Sequence, residues 1–290
     1  MMVRESAFEG QFYPKDREAC LREIAAMAPP AEVEGLPDRP VAGIVPHAGW
    51  AFSGPTALAV IRTIADRRTP ATFVIFGAAH RRVRGNAVFA SGGWQTPLGL
   101  TKVDERLARE ILARAGDLAA ADPAAHADEH SIEVQLPLIQ HLVPEARIVP
   151  ILVPPGPQAV ALGRAVGQAI GDLAADVVCL GSTDLTHYGP AYDFTPKGIG
   201  AAAVRWVRDE NDRRMLDLMV RLDAEAIVPE AQQHQNACGS GAVAAMLAAA
   251  RLMGAARGVV VQYTTSYDVM REKMGRSDTD AVVGYAGVVF

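Results

Sequence analysis

Three of the seven histidines stand just beyond apolar runs: His47 in V-P-H-A-G-W, His80 in F-G-A-A-H and His187 in L-G-S-T-D-L-T-H-Y-G. Imidazole is the commonest metal ligand, and it exchanges its proton near neutral pH, so residues of this type can hold an ion or move a proton. In an α/β sheet whose strands run mainly parallel, the segments leaving the carboxyl ends gather along one edge, where ligands bind. The three histidines are therefore expected to converge, although any one alone would read as a hydrogen-bonded loop residue. Cys238, in Q-N-A-C-G-S-G-A-V, stands directly before an Ala-rich stretch of helical composition. The positive end of a helix would stabilise its thiolate, which makes it a reactive or ligating position. Cys179, inside the apolar run Val177–Leu180, and Cys20, in a predicted helix, read as inert buried thiols.

Carboxylates accompany these groups. Asp184 lies three residues before His187 and has four open roles: ligand, proton acceptor, the carboxylate that fixes a histidine tautomer, or a turn or cap aspartate. Asp128, Glu129, His130 and Glu133 form a second polar cluster. On a helix His130 and Glu133 share a face, a spacing that can bind metal, and a helix-start cap with solvated acids fits the same spacing. His126, His141 and His234 have no comparable context and read as surface or structural residues.

Other chemistries lack their signatures. Gly239, Gly241 and Ala244 spell G-x-G-x-x-A, but no apolar strand precedes them and no acid follows at the ribose-binding distance. There is no G-x-S-x-G, no Walker motif and no H-E-x-x-H. Arg81, Arg82 and Arg84 beside His80 read as an exposed loop that could meet an anionic substrate or a protein partner. With 28 Lys and Arg against 33 Asp and Glu, the net charge of -5 gives no general reason to approach nucleic acid or an anionic membrane.

The elements that must position these residues are legible as hydrophobic patterns. The chain has 290 residues, 50% hydrophobic and 21% charged, the balance of a globular protein with a sizeable core. No repeat or long Gly/Ser linker divides it, so a single domain over 1–290 is expected. Apolar runs at Val41–Val45, Thr72–Phe76, Arg147–Val153, Val177–Leu180, Val259–Tyr263 and Ala281–Val289 read as buried strands. They are continuous rather than alternating, as a sheet covered on both faces requires. The predicted class is α/β, with a mixed or mostly parallel central sheet flanked by helices on both faces. Helices are expected over Arg17–Ala28, Thr56–Ala65, Asp104–Ala115, Pro157–Leu173, Ile199–Leu222 and Gly239–Met253, with a loop over Pro29–Pro40. In the Ile199–Leu222 helix, Arg205, Arg208, Asp209, Asp212 and Arg213 are assigned to a solvated face. Glu129–Leu142 is also helical in pattern, and Pro137 must sit in a first turn or kink it. Three widely spaced cysteines point to a reducing cytoplasm, and the first 15 residues lack the apolar core of a signal peptide. The long uncharged stretches 40–61 and 231–250 are broken by Pro46 and Pro55 and opened by the polar run 232–236, so neither reads as a membrane span.

Taken in order, six segments resemble the Memo family, called AmmeMemoRadiSam system protein B in bacteria and archaea. They are R-E-S-A-F-E-G-Q-F-Y-P at 4–14, V-P-H-A-G-W-A-F-S-G-P-T-A at 45–57, F-G-A-A-H at 76–80, D-E-H-S-I-E-V-Q-L-P at 128–137, S-T-D-L-T-H-Y-G at 182–189 and A-C-G-S-G at 237–241. The resemblance implies a fold similar to the LigB-like class III extradiol dioxygenases, which are non-haem iron enzymes. Fold does not carry activity with it. The family's metal site would match His47, His80 and Cys238, with His187 and Asp184 close by. The dioxygenases have a glutamate as third ligand where this chain has Cys238, and a thiolate is a softer donor that favours copper(I) or zinc or alters iron's redox behaviour.

Three functions follow as expectations. The first is a cytoplasmic metal-binding redox protein with iron or copper on His47, His80 and Cys238, with His187 as fourth ligand or proton carrier and Asp184 orienting the site. The second makes Cys238 a nucleophile with His187 as base and Asp184 as orienter, which needs no metal. The third is a non-catalytic adaptor that binds a peptide or partner, as animal proteins similar to this one do. The resemblance implies AMMECR-type and radical SAM partners; the substrate class, a small molecule or a peptide, stays open.

Overall fold

The computed structural model describes residues 2–27, 32–275 and 279–290. The end of the first predicted helix at Ala28 and positions 29–31 of the predicted Pro29–Pro40 loop lie outside them. The strands are β1 (Val3–Arg4), β2 (Ala42–Val45), β3 (Thr72–Gly77), β4 (Asn86–Val88), β5 (Gly93–Thr96), β6 (Gly99–Lys102), β7 (Ala119–Ala121), β8 (Arg147–Leu152), β9 (Val177–Ser182), β10 (His187–Tyr188), β11 (Val259–Thr265) and β12 (Val282–Val289). Nine of them form a mixed sheet in the order β10-β12-β2-β9-β3-β8-β4-β7, with β11 on the free side of β12. The centre, β2-β9-β3-β8, is parallel, while β12 and β4 join it antiparallel. All six predicted strands are present. The remaining six have two to four residues each, too few to generate a periodicity.

Helices cover both faces, as the unbroken apolar runs require. A Cβ on Gly43 of β2 would lie 2.6 Å from Val60, in the helix Trp50–Ala65. One on Gly181 of β9 would lie 3.1 Å from Met246, in the helix Ser240–Leu252. The second helix is buried over Ser240–Ala250, and its Ala content has a packing reason. It crosses the helix Gln158–Asp172 so closely that a Cβ on Gly163 would meet the Ala245 carbonyl at 2.0 Å.

Three helices depart from expectation. Trp50–Ala65 begins six residues before the predicted Thr56 and contains Pro55. Proline cannot donate to the carbonyl four residues back, here that of Ala51, and Lys273 Nζ donates to that oxygen at 2.5 Å instead. The predicted Glu129–Leu142 helix is two short ones, His130–Glu133 and Leu136–Leu142, with Pro137 in the first turn of the second. The predicted Ile199–Leu222 helix is Ala201–Trp206, a π-helical turn Val207–Asn211, and Asp212–Val220. Wider turns change the facing, which corrects the assignment of Asp212 to a solvated surface. It is fully buried, accepting from the Thr186 backbone N–H at 3.0 Å, the Thr186 hydroxyl and the Tyr263 hydroxyl at 2.7 Å. Two further helices, Ala224–His234 and Ser266–Met274, were not expected. Among the described residues no helix is long and apolar enough to cross a membrane.

Candidate metal centre

β2, β9 and β3 lie side by side and parallel, so the segments leaving Val45, Ser182 and Gly77 emerge at one edge of the sheet. They carry His47, Asp184 with His187, and His80. The fourth component arrives from the opposite direction. A Cβ on Gly239 would lie 2.2 Å from the Ser182 carbonyl, so only glycine lets the start of the Ser240–Leu252 helix touch the end of β9. That contact seats Cys238. Its N–H donates to the Asp184 carbonyl at 3.2 Å, and its sulfur receives the Asp184 N–H at 3.3 Å. Gly239 and Gly241, which mimic a nucleotide fingerprint, are thus close-approach residues; a Cβ on Gly241 would meet the Pro154 carbonyl at 2.4 Å.

The imidazoles are oriented by hydrogen bonds that settle their tautomers. His47 Nδ1 is 2.9 Å from Ser182 Oγ, whose own proton goes to the Ser131 carbonyl at 2.8 Å. A hydroxyl spending its proton there can only accept from the ring, so Nδ1 carries the hydrogen and Nε2 keeps its lone pair. That Nε2 faces Cys238 Sγ at 3.1 Å. Burial, with His80, His130 and His187 nearby, holds the His47 pKa well below its usual value, so the ring is neutral. His80 Nδ1 sits 3.0 Å from Glu129 Oε1, which turns its Nε2 away from that carboxylate. Burial opposes a charge on His80, but hydrogen bonds to Cys238 and Glu129 outweigh it and push its pKa up to about 10. Glu129 is held down at about 2 against its burial by His80 and by the backbone amides of Ser131 and His80. A carboxylate behind a histidine is the arrangement that raises ligand basicity at metal sites.

His130 completes the cluster. One nitrogen each from His47, His80 and His130 lies within 4.8 Å of the others, close enough to share one ion. His130 stacks on His80 with ring centres 4.5 Å apart and meets His47 edge-on at 5.2 Å. Burial, then the His80 charge, lowers its pKa to about 4. The pairing of His130 with Glu133 is not formed. Glu133 is fully buried and turned away, binding Arg4 at 2.6 Å, the Tyr13 hydroxyl at 2.7 Å and the Ala7 and Phe8 amides, so it is no solvated acid.

His187 and Asp184 border a cavity of about 460 Å³ shared with His47, His80 and His130. His187 Nδ1 donates to the Leu185 carbonyl at 3.1 Å, leaving Nε2 as an acceptor, and burial lowers its pKa. Asp184 Oδ1 accepts the His47 backbone N–H at 2.7 Å, and burial raises its pKa to about 7. Asp184 therefore orients the His47 loop through the backbone, and the tautomers are set by Ser182, Glu129 and the Leu185 carbonyl. A Cys238–His187–Asp184 relay is not assembled, because the imidazole partners of the sulfur are His47 and His80. Cys20 and Cys179 are buried, and burial pushes both thiols up to about 12, as expected for inert sulfur. Arg81, Arg82 and Arg84 are exposed.

Ser182 is the residue that sequence reasoning missed; Glu129 and His130 stood in the second polar cluster, but their link to His80 and His47 was not expected. A polar residue closing a buried strand, as Ser182 does, and acids four apart beginning a helix, as Glu129 and Glu133 do, are the signals that point inward.

A family described as Memo-like protein matches residues 4–289. A MEMO1 family protein from Thermococcus onnurineus is 39% identical over 100% of this chain and 99% of its own length. One from Thermococcus kodakarensis is 40% identical over the same shares, and one from Pyrococcus furiosus is 38% identical over 99% of each chain. In fold, the crystal structure of an uncharacterized protein from Escherichia coli K12 is similar, with a TM-score of 0.57 and 13% identity, covering 87% of this chain and all of that one. With whole-length matches of this depth, the chain belongs to the Memo-like family.

Proposed function

We propose that this protein binds a single iron or copper ion through His47 Nε2, His80 Nε2 and Cys238 Sγ and uses it in redox chemistry on a molecule held in the adjoining cavity. The observation that carries the reading is His47 Nε2, its lone pair freed by the Ser182 bond, 3.1 Å from Cys238 Sγ, with the His80 ring held beside it by Glu129. Two imidazoles and a thiolate suit a borderline or soft ion, and with His130 at hand the site has a further nitrogen. The ion would supply electron transfer to or from the bound molecule.

The chain's own residues do the rest. His187, neutral and with Nε2 free toward the cavity, takes or gives a proton there, or closes the coordination shell. Asp184 holds the His47 loop and, through its backbone, the thiol. Glu129 supplies negative charge behind His80. Protein purified without an affinity tag and under anaerobic conditions should contain about one iron or copper per chain, with a thiolate signature in electron paramagnetic resonance. His47→Ala and Cys238→Ser should lose the metal; unchanged stoichiometry in both removes the proposal.

A further inference from the structure

The cavity beside the imidazoles has a second wall, and one tyrosine of it differs from the other buried tyrosines. Alternate residues of a strand face the same way, and Ala281, Val283 and Tyr285 all line the cavity. Tyr285 is only 3% exposed. Buried tyrosine hydroxyls find partners because an unpaired one costs about 1–3 kcal/mol. The others conform: Tyr13 donates to Glu133 at 2.7 Å, Tyr188 to the Gly198 carbonyl at 2.6 Å and Tyr263 to Asp212 at 2.7 Å. The Tyr285 hydroxyl has no hydrogen-bond partner among the described residues. Next to it, Ser266 Oγ accepts the Val283 N–H at 2.9 Å and keeps its own proton to donate.

We infer that Tyr285, assisted by Ser266, is the donor that binds the substrate, and that the cavity takes a flat, uncharged molecule carrying an acceptor oxygen. This rests on reading the imidazole cluster as the reacting centre. Among the described residues no Lys or Arg lines the cavity, the His80 ring is engaged at Nδ1 by Glu129, and Asp184 adds a carboxyl to the wall. A phosphorylated ligand would find no Lys or Arg among the described lining residues. Phe12, Phe52 and Met270 complete an apolar surface suited to a ring. In the same cavity His187 Nε2 is an acceptor, so a primary amide or a hydroxyl on the same ring can be matched by both kinds of group.

Benzamide, titrated calorimetrically into metal-free protein, tests the inference, with phenyl phosphate and toluene as comparators. Benzamide should bind more tightly than phenyl phosphate. Tyr285→Phe, which removes only an unpartnered hydroxyl and should fold normally, should weaken benzamide by about 3- to 10-fold, the value of one hydrogen bond, and leave toluene unchanged. Absence of benzamide binding, equal benzamide affinity in wild type and Tyr285→Phe, or a preference for phenyl phosphate would overturn it. Metal content of the same two preparations is read separately, so loss of the metal proposal and loss of this one are distinct results.

Discussion

Glu129 does for His80 what Ser182 does for His47: each takes the Nδ1 hydrogen and leaves Nε2 to face the sulfur. The two partners differ in charge, and that difference is measurable. Glu129→Gln keeps a hydrogen-bond acceptor but removes the negative charge, and should weaken metal binding by about 10- to 100-fold in a competition titration. His80, raised to about 10, is protonated in the metal-free protein at neutral pH. Ligation must displace that proton, so zinc added as a redox-silent probe to unbuffered protein at pH 7.5 should release about one proton from His80, and affinity should fall as pH falls. A different histidine governs stability. His126 is fully buried, donates Nε2–H to the Ala87 carbonyl and is lowered to about 4, by burial first and then by Arg4. The unfolded chain therefore binds this proton and the folded one does not between pH 6.5 and 4, and stability is lost as pH falls through that window. Urea unfolding should show wild type losing about 3 kcal/mol more than His126→Gln over this interval, from 1.36 kcal/mol per pKa unit.

Among the elements, the helix Ser240–Leu252 shows how packing makes a site. Its alanines and glycines let it press on β9 and on the neighbouring helix, and Cys238 is carried to His47 by that approach. Gly239→Ala would force a Cβ to within 2.2 Å of the Ser182 carbonyl. The expected cost is about 1–3 kcal/mol of stability, as for other overpacked positions. Metal affinity should fall with it, because the Cys238 to His47 separation widens; a variant that binds metal normally would show that the helix start has slack. The same element illustrates which patterns are readable. Long apolar runs declared the six principal strands. The Asp212 inversion was hidden because a π turn changes the phase of a helix without altering its composition, and β4 or β10 is too short to produce a pattern at all.

At the scale of the whole molecule, the first residues of the chain are tied to the site from behind. Arg4 and Glu133 form a buried ion pair, and Glu133 also accepts from Ala7, Phe8 and Tyr13. Arg4 additionally donates to the His126 and Glu129 carbonyls. Glu133→Ala leaves Arg4 buried without its counter-charge and should cost about 3–5 kcal/mol. Hydrogen exchange at the Ala7 and Phe8 amides should accelerate more than exchange in β3; protection unchanged at those amides would separate the N-terminal segment from the site.

What the amino-acid order determined by itself was the class of fold and the edge at which chemistry gathers. Runs of apolar residues commit segments to a covered parallel sheet, and residues just beyond such runs have one place to go. Tertiary structure alone decided that His130 joins His47 and His80, that Glu129 and Ser182 direct the rings, and that the Tyr285 hydroxyl is left facing a cavity. Those outcomes depend on separations of a few ångströms between segments distant in the chain, and local periodicity carries no information about them.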